Sequence, residues 1–187
     1  SKIETFSIPA SLVELEDGWN LNMNKLMKID LSPQNPIYSK LNEKIIVKKS
    51  SPNSEIFDEI FFCCQRKVTL PNHIKKLDPC SCINVKYIEF LENSQLQIID
   101  ENCFDDALMN EEIILPDSVT KIGKKAFNNC KLKRFIISQN SQLEFIGESA
   151  FSSCLSLKEI VIPSSITTLK NNAFNNCSSL EYVSFES

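Results

Sequence analysis

Five residues between positions 63 and 82 have side chains that can bind a metal or act as nucleophiles. In order they are Cys63, Cys64, His73, Cys80 and Cys82. Thiolates and imidazoles are zinc ligands, although the usual Cys-x2-Cys spacing is missing here. A chain reversal within this stretch could bring the thiols together. A zinc site or a disulfide is therefore one interpretation of the cluster.

A structural role is the other interpretation, and the sequence favours it. His73 is the only histidine of the chain, so any enzyme must work without a second histidine, and the sequence suggests no Ser-His-Asp set. It also falls in a polar turn after a proline, the turn in which similar stretches have Ser118 and Ser164. We therefore predict no cofactor, no metal and no catalytic residue.

Paired carboxylates could perform acid and base chemistry across a cleft, as in a glycosidase. The candidates are Glu14, Glu16, Asp105, Asp106, Glu111 and Glu112. Glu111 and Glu112, however, fall at the same position of their segment as Lys86 and Lys133-Arg134 do in the neighbouring ones. Opposite charges on adjacent strands are an ordinary surface arrangement, and this interpretation is favoured.

The other cysteines belong to a motif, Ala-Phe-polar-polar-Cys, that occurs at 126–130, 150–154 and 173–177. A catalytic motif is normally needed once, whereas a recurring one indicates a repeated structural unit. Cys130, Cys154 and Cys177 are therefore predicted to be stacked interior thiols, since free cysteine packs as a small hydrophobe. In an earlier unit Cys103 takes the Ala position and Ala107 the Cys position.

The motif closes a longer unit of about 23 residues. Residues 110–130 and 157–177 share the plan x-x-I-x-I/L-P, a polar pair, a β-branched residue and Ala-Phe-x-x-Cys. Residues 85–104 and 132–154 share NSQL and have two extra residues in the first turn. Units are predicted to start near 3, 26, 65, 85, 110, 132, 157 and 180, with a less regular one near 42. Residues 33–64 depart from the plan and are predicted to be an insertion.

The spacing within one unit predicts a short strand, ended by a proline that has no amide hydrogen to donate. The remaining residues are too few for a helix and are predicted to form a turn, or one helical or 3₁₀ turn, that returns the chain. Stacked units would make one parallel sheet over one continuous core. The predicted core ladders are Ile113, Ile160 and Val183; Leu115, Ile137, Ile162 and Phe185; and Phe104, Phe127, Phe151 and Phe174.

The pattern LxxIxIPxxIxxIxxxAFxxC resembles the leucine-rich repeats of the BspA-like (Treponema-type) class, and SIPASLVELEDGW looks most like the large sets of protozoan parasites. The resemblance implies a right-handed solenoid with its parallel sheet on the concave side. It also implies a cell-surface or secreted protein that is not an enzyme and that binds protein ligands such as host or matrix proteins.

Composition limits the other function classes. The net charge is −4, with no basic patch for nucleic acid. Only three glycines are present, and no phosphate-binding loop is found. No run of about eighteen apolar residues that could enter a membrane exists. Eight cysteines suit a reducing compartment, so an intracellular (cytoplasmic) scaffold or assembly subunit is the alternative function.

The outward residues of the strands form the predicted binding face. Ile114, Ile136 and Val161 would make an apolar stripe flanked by charges, although β-branched residues also favour strands without binding anything. The predicted partner-binding residues are Arg66, Lys67, Lys86, Tyr87, Ile114, Lys133, Arg134, Ile136, Lys158, Val161 and Tyr182. Uncapped terminal units are expected to allow self-association. Within the insertion, EIFDEIFFCC fits either a helix or a strand.

Overall fold

The computed structural model describes residues 2–20, 23, 25–82, 84–109 and 112–186. Over these residues the chain is a parallel β-solenoid of stacked coils without helices. The predicted solenoid is therefore confirmed, while its expected helical or 3₁₀ turns are replaced by strands and turns. Glu111 and the unit start at 110 lie outside the described residues.

Sixteen strands build the described part of the chain. They are β1 (Thr5–Ile8), β2 (Lys28–Leu31), β3 (Tyr38–Asn42), β4 (Ile45–Lys49), β5 (Phe57–Cys63), β6 (Lys67–Leu70), β7 (Lys76–Leu77), β8 (Tyr87–Phe90), β9 (Ile98–Ile99), β10 (Glu112–Ile114), β11 (Lys121–Ile122), β12 (Arg134–Ile136), β13 (Phe145–Ile146), β14 (Glu159–Ile162), β15 (Thr168–Leu169) and β16 (Tyr182–Phe185). We call β1, β2, β6, β8, β10, β12, β14 and β16 the face strands, and β7, β9, β11, β13 and β15 the return strands.

The return strands form the continuous part of the structure, where a turn had been predicted. They stack in the order β15-β13-β11-β9-β7 and continue through β5, β4 and β3 as one eight-stranded sheet. Each has only two residues, of which the second, such as Ile122 or Ile146, is fully buried except in the last strand. Two residues are too short to show a period in sequence, because the neighbouring coils supply the hydrogen bonds that make them a strand.

The phenylalanine ladder is confirmed. The rings of Phe104, Phe127, Phe151 and Phe174 stack at centroid distances of 5.1, 5.3 and 5.5 Å. Main-chain hydrogen bonds of 2.8 Å from Phe127 N to Ala150 O and from Phe151 N to Ala173 O hold successive coils in this register. Phe104, Phe127 and Phe151 are fully buried, which contributes roughly 1.5–3 kcal/mol for each, whereas Phe174 is half-buried.

The predicted register of the two aliphatic ladders is confirmed between β14 and β16. Between β10 and β12 the first ladder contains one more residue than predicted. Ile160 lies opposite Val183 and Ile162 opposite Phe185, whereas Ile113 lies opposite Phe135, which the prediction left out. Val183 and Phe185 are exposed because they belong to the last coil, and they are not core residues of this structure.

Each closing turn contains two residues in the left-handed region. In the turn at 126–130 these are Lys125, with φ 53°, and Asn129, with φ 54°; in the next turn they are Ser149 and Ser153, with φ 56° and 59°. Short polar side chains tolerate this conformation better than most others. The second polar residue of Ala-Phe-polar-polar-Cys is therefore set by backbone geometry.

The segment 33–64, predicted to be an insertion, lies between two cores, so the prediction of one continuous core is wrong. β3, β4 and β5 form an antiparallel meander, and β5 alone pairs parallel with the first return strand. The segment 57–63 is thus a strand, and the less regular unit near 42 is part of the meander. Ile60 and Cys63 face the main core, whereas Phe61 and Phe62 join a second core beneath β1 and β2. Half-buried Trp19 packs against this second core and stacks on Phe61 at a centroid distance of 5.2 Å.

Candidate binding surface

The outward side chains of the face strands form a surface that we call the strand face. Ile114 lies directly opposite Ile136, and Glu112 opposite Arg134. The guanidinium Nη1 of Arg134 donates to Oε2 of Glu112 at 2.9 Å. Val161 on β14 extends the apolar stripe, which ends where Ser184 lies opposite it.

Most of the predicted binding residues are solvent-exposed on this surface. The exposed ones are Arg66, Lys67, Tyr87, Ile114, Lys133, Arg134, Lys158, Val161 and Tyr182. Lys86 and Ile136 are half-buried, and Lys86 Nζ lies 5.0 Å from the ring centroid of Tyr87. Ile114 is 62% exposed, so this large aliphatic side chain is available to a partner.

The strand face is a row of strand pairs. Among the described residues β6 pairs with β8, β10 with β12 and β14 with β16, but β8 does not pair with β10, nor β12 with β14. Both breaks follow the units whose first turn is two residues longer. There the Oγ of Ser118 donates to the carbonyl oxygens of Ser94 and Leu96 at 2.8 Å. A serine side chain thus bridges coils at the turn while the face strands separate.

Each break opens a groove. The larger, about 710 Å³, lies between β8 and β10 and we call it the first groove. The smaller, about 210 Å³, lies between β12 and β14 and is the second groove. Sequence had shown the longer turns, but not that they would separate the strands of the next coil. A surface expected to be one parallel sheet therefore carries two clefts.

The cysteine cluster is divided between structural positions. Cys63 and Cys82 are buried and interact with each other, and Cys103 continues their column into the phenylalanine ladder. His73 is exposed in its turn, away from the core. Among the residues that the structure describes, no three His, Cys, Asp or Glu side chains are arranged to hold a metal.

The remaining thiols of this region are also in structural environments. Cys64 Sγ donates to the carbonyl oxygen of Met27 at 3.0 Å. Cys80 occupies a left-handed position, with φ 57°, and burial, with the nearby Asp105 and Glu101 carboxylates, raises its pKa to about 11. A thiol that stays protonated is a poor nucleophile and a poor metal ligand.

A buried ionic network joins the meander to the coils and was missed in the sequence. Lys48 Nζ lies 2.6 Å from Oδ2 of Asp78 and 3.4 Å from Oε2 of Glu59. Lys76 then connects Asp78, at 3.3 Å, to Asp100, at 3.0 Å. Asp78 is only 3% exposed. The residues of the network come from β4, β5 and β7 and from the positions directly after β7 and β9, so no local spacing could have indicated it.

A model of BspA-type leucine-rich repeat regions matches residues 33–141 and 80–187, with six copies. The chain belongs to the BspA-type leucine-rich repeat family. No curated protein matches it. The geometry explains the Ala-Phe-x-x-Cys turn of this BspA-type chain, because polar residues of the turn take left-handed positions and its phenylalanines stack from coil to coil.

Three solved structures share the fold. A leucine-rich repeat protein from Eubacterium ventriosum is 21% identical, with a TM-score of 0.77 over 98% of this chain and 49% of that one. The pneumococcal vaccine antigen PcpA is 22% identical, with a TM-score of 0.77 over 98% of this chain and 45% of that one. A leucine-rich cell surface protein from Faecalibacterium prausnitzii is 21% identical, with a TM-score of 0.63 over 99% of this chain and 48% of that one. The BspA-type chain spans about half the length of these proteins.

The part of the chain that the structure describes contains no helix of the length and apolarity needed to cross a membrane.

Proposed function

We propose that this protein is a non-enzymatic binding module that recognises a protein ligand through the strand face. The observation that carries the proposal is the exposed apolar stripe, in which Ile114 and Ile136 lie side by side and Val161 follows. An apolar patch rimmed by charges suits a protein interface. Glu112, Arg134 and Lys158 supply such a rim here.

The proposed setting is the outside of a cell, either on the surface or secreted, with a host or matrix protein as the ligand. The family supports this, since two relatives of the same fold are described as a vaccine antigen and a cell surface protein. The resemblance of the N-terminal segment to sets from protozoan parasites agrees with it. Self-association through terminal units stays a prediction.

The test is binding to a panel of purified extracellular-matrix proteins with the variants Ile136→Glu and Val161→Glu. We expect either charge to weaken binding at least tenfold while the unfolding transition stays unchanged, because both side chains reach solvent on the face. Leu155→Glu is the matched control, since Leu155 is an exposed aliphatic residue in a closing turn. Equal binding by all the variants would contradict the assignment.

An intracellular scaffold is the second candidate. All eight cysteines are free thiols and seven are buried, which suits a reducing compartment. Antibody labelling of intact and permeabilised cells separates the two settings. Labelling only after permeabilisation would favour the scaffold.

A further inference from the structure

The first groove has an apolar floor and an acidic rim. Ile88, Phe90 and Ile114 line it together with the carboxylates of Glu89, Glu92, Glu112 and Asp117. Among the lining residues that the structure describes, none is a lysine or an arginine. Its volume of about 710 Å³ is in the range of sites that hold a drug-sized ligand or a few peptide residues.

Three of these four carboxylates form no ion pair among the described residues, so a ligand can pair with them. Only Glu112 has a cationic partner, Arg134, among the described residues. Glu89 accepts a hydrogen bond from Thr69 Oγ1 at 3.0 Å, and Asp117 accepts one from Ser138 Oγ. Hydroxyl donors leave the negative charge in place, so the groove favours a cationic ligand and repels an anionic one.

The second groove provides an internal comparison. By register, Glu89 corresponds to Ile136, Glu92 to Gln139 and Asp117 to Ser164, so three of the four carboxylates are absent there. The fourth carboxylate is present in both grooves, as Glu112 in the first and Glu159 in the second. The concentration of acid in the first groove is therefore a property of this groove and not of the repeat.

We propose that the first groove binds an extended segment of a protein partner that presents lysine or arginine side chains. The aliphatic stems would cover Ile88, Phe90 and Ile114 while the cationic ends reach the carboxylates. A bare metal ion does not fit, because the described carboxylates are not arranged as a ligand set. The proposal rests on the proposed role of the strand face in protein binding and names the chemistry of the partner.

Fluorescence anisotropy with a labelled peptide of alternating valine and lysine tests the proposal. We expect binding by the wild-type protein that weakens as salt rises. The variant Glu92→Gln/Asp117→Asn should bind about tenfold more weakly, a change of about 1.4 kcal/mol. The control Glu144→Gln/Glu181→Gln removes the same net charge from exposed positions outside the groove and should bind as the wild type does. Unchanged thermal unfolding verifies that the variants fold.

Several results would overturn the groove assignment. An equal loss in both double variants would show a general charge effect. Equal binding of a valine-glutamate peptide, or no peptide binding at all, would remove the stated chemistry. Displacement of the peptide by an equal concentration of spermidine would point to a polyamine ligand instead. If the groove fails in any of these ways while Ile136→Glu still abolishes binding to a matrix protein, the proposed function stands without it.

Discussion

The thiol of Cys154 donates a hydrogen bond to the carbonyl oxygen of Phe127, one coil earlier, at 3.1 Å. The same bond joins Cys130 to Phe104, at 3.1 Å, and Cys177 to Phe151, at 3.0 Å. The sequence predicted these thiols to be small buried hydrophobes. In the structure they also satisfy main-chain carbonyl groups of the neighbouring coil, which explains why the motif ends in cysteine.

Replacing Cys154 with alanine removes both the sulfur and the hydrogen-bond donor. We expect Cys154→Ala to lower the free energy of unfolding by roughly 1–3 kcal/mol, measured by urea denaturation. Cys177→Ala is the matched control and should cost less, because Cys177 is only half-buried. Equal losses at the two positions would show that burial of the sulfur does not determine the effect.

The buried thiols also predict alkaline sensitivity. Burial raises the pKa of Cys154 from about 9 to about 12, so the folded protein retains a proton there that the unfolded chain loses. The stability linked to this group is fully present below pH 9 and is lost as the pH rises toward 12. Urea midpoints between pH 8 and 10.5 should fall less steeply for Cys154→Ser than for the wild type. Parallel profiles would exclude this thiol as a source of the slope.

The sequence was most informative where one residue type recurs at one position. Phe127 and Phe151 show their period directly, and their ladder was predicted correctly. The return strands were missed because two residues such as Lys121 and Ile122 carry no period of their own. The second core was missed because Trp19 and Phe61 are distant in sequence. The outward face could be predicted from alternation, but its grooves depend on how a longer turn displaces the next coil.

The ionic network predicts a large asymmetry between single and double substitutions. Lys48→Met leaves the carboxylate of Asp78 buried with one cation fewer, and should lower the free energy of unfolding by about 3 kcal/mol. Lys48→Met/Asp78→Asn removes the buried charge as well and should lose less. Lys44→Met, at an exposed position, should stay within about 0.5 kcal/mol of the wild type. Additive effects of the two substitutions in a urea-denaturation cycle would show that the pair is not coupled.

The close approach of two coils leaves no room for a side chain at Gly147. A Cβ atom there would lie 2.6 Å from the carbonyl carbon of Gly123 and 2.6 Å from the amide nitrogen of Lys124. Because those are main-chain atoms, the two coils must separate, and Gly147→Ala should cost roughly 1–3 kcal/mol or more. Gly18→Ala meets no atom within 4 Å and is strained only by its φ of +78°. It should cost about 1–2 kcal/mol, so calorimetry should place the Gly147 variant lower in melting temperature.

In the three Ala-Phe-polar-polar-Cys turns, Lys125 is the left-handed residue without a short polar side chain that could favour its φ of 53°. Glycine adopts this conformation without strain. Lys125→Gly should therefore raise the free energy of unfolding by about 0.5–1 kcal/mol, since relief of strain exceeds the entropy that glycine adds to the unfolded chain. Lys124→Gly is the control, because the neighbouring lysine is also exposed but has no positive φ. Its Nζ also lies 3.7 Å from Oε2 of Glu148, an exposed ion pair that contributes little to stability. Lys124→Gly should be destabilising. Urea denaturation of the two variants checks the prediction, and a loss of stability at Lys125 equal to that at Lys124 would show that the left-handed turn carries no strain.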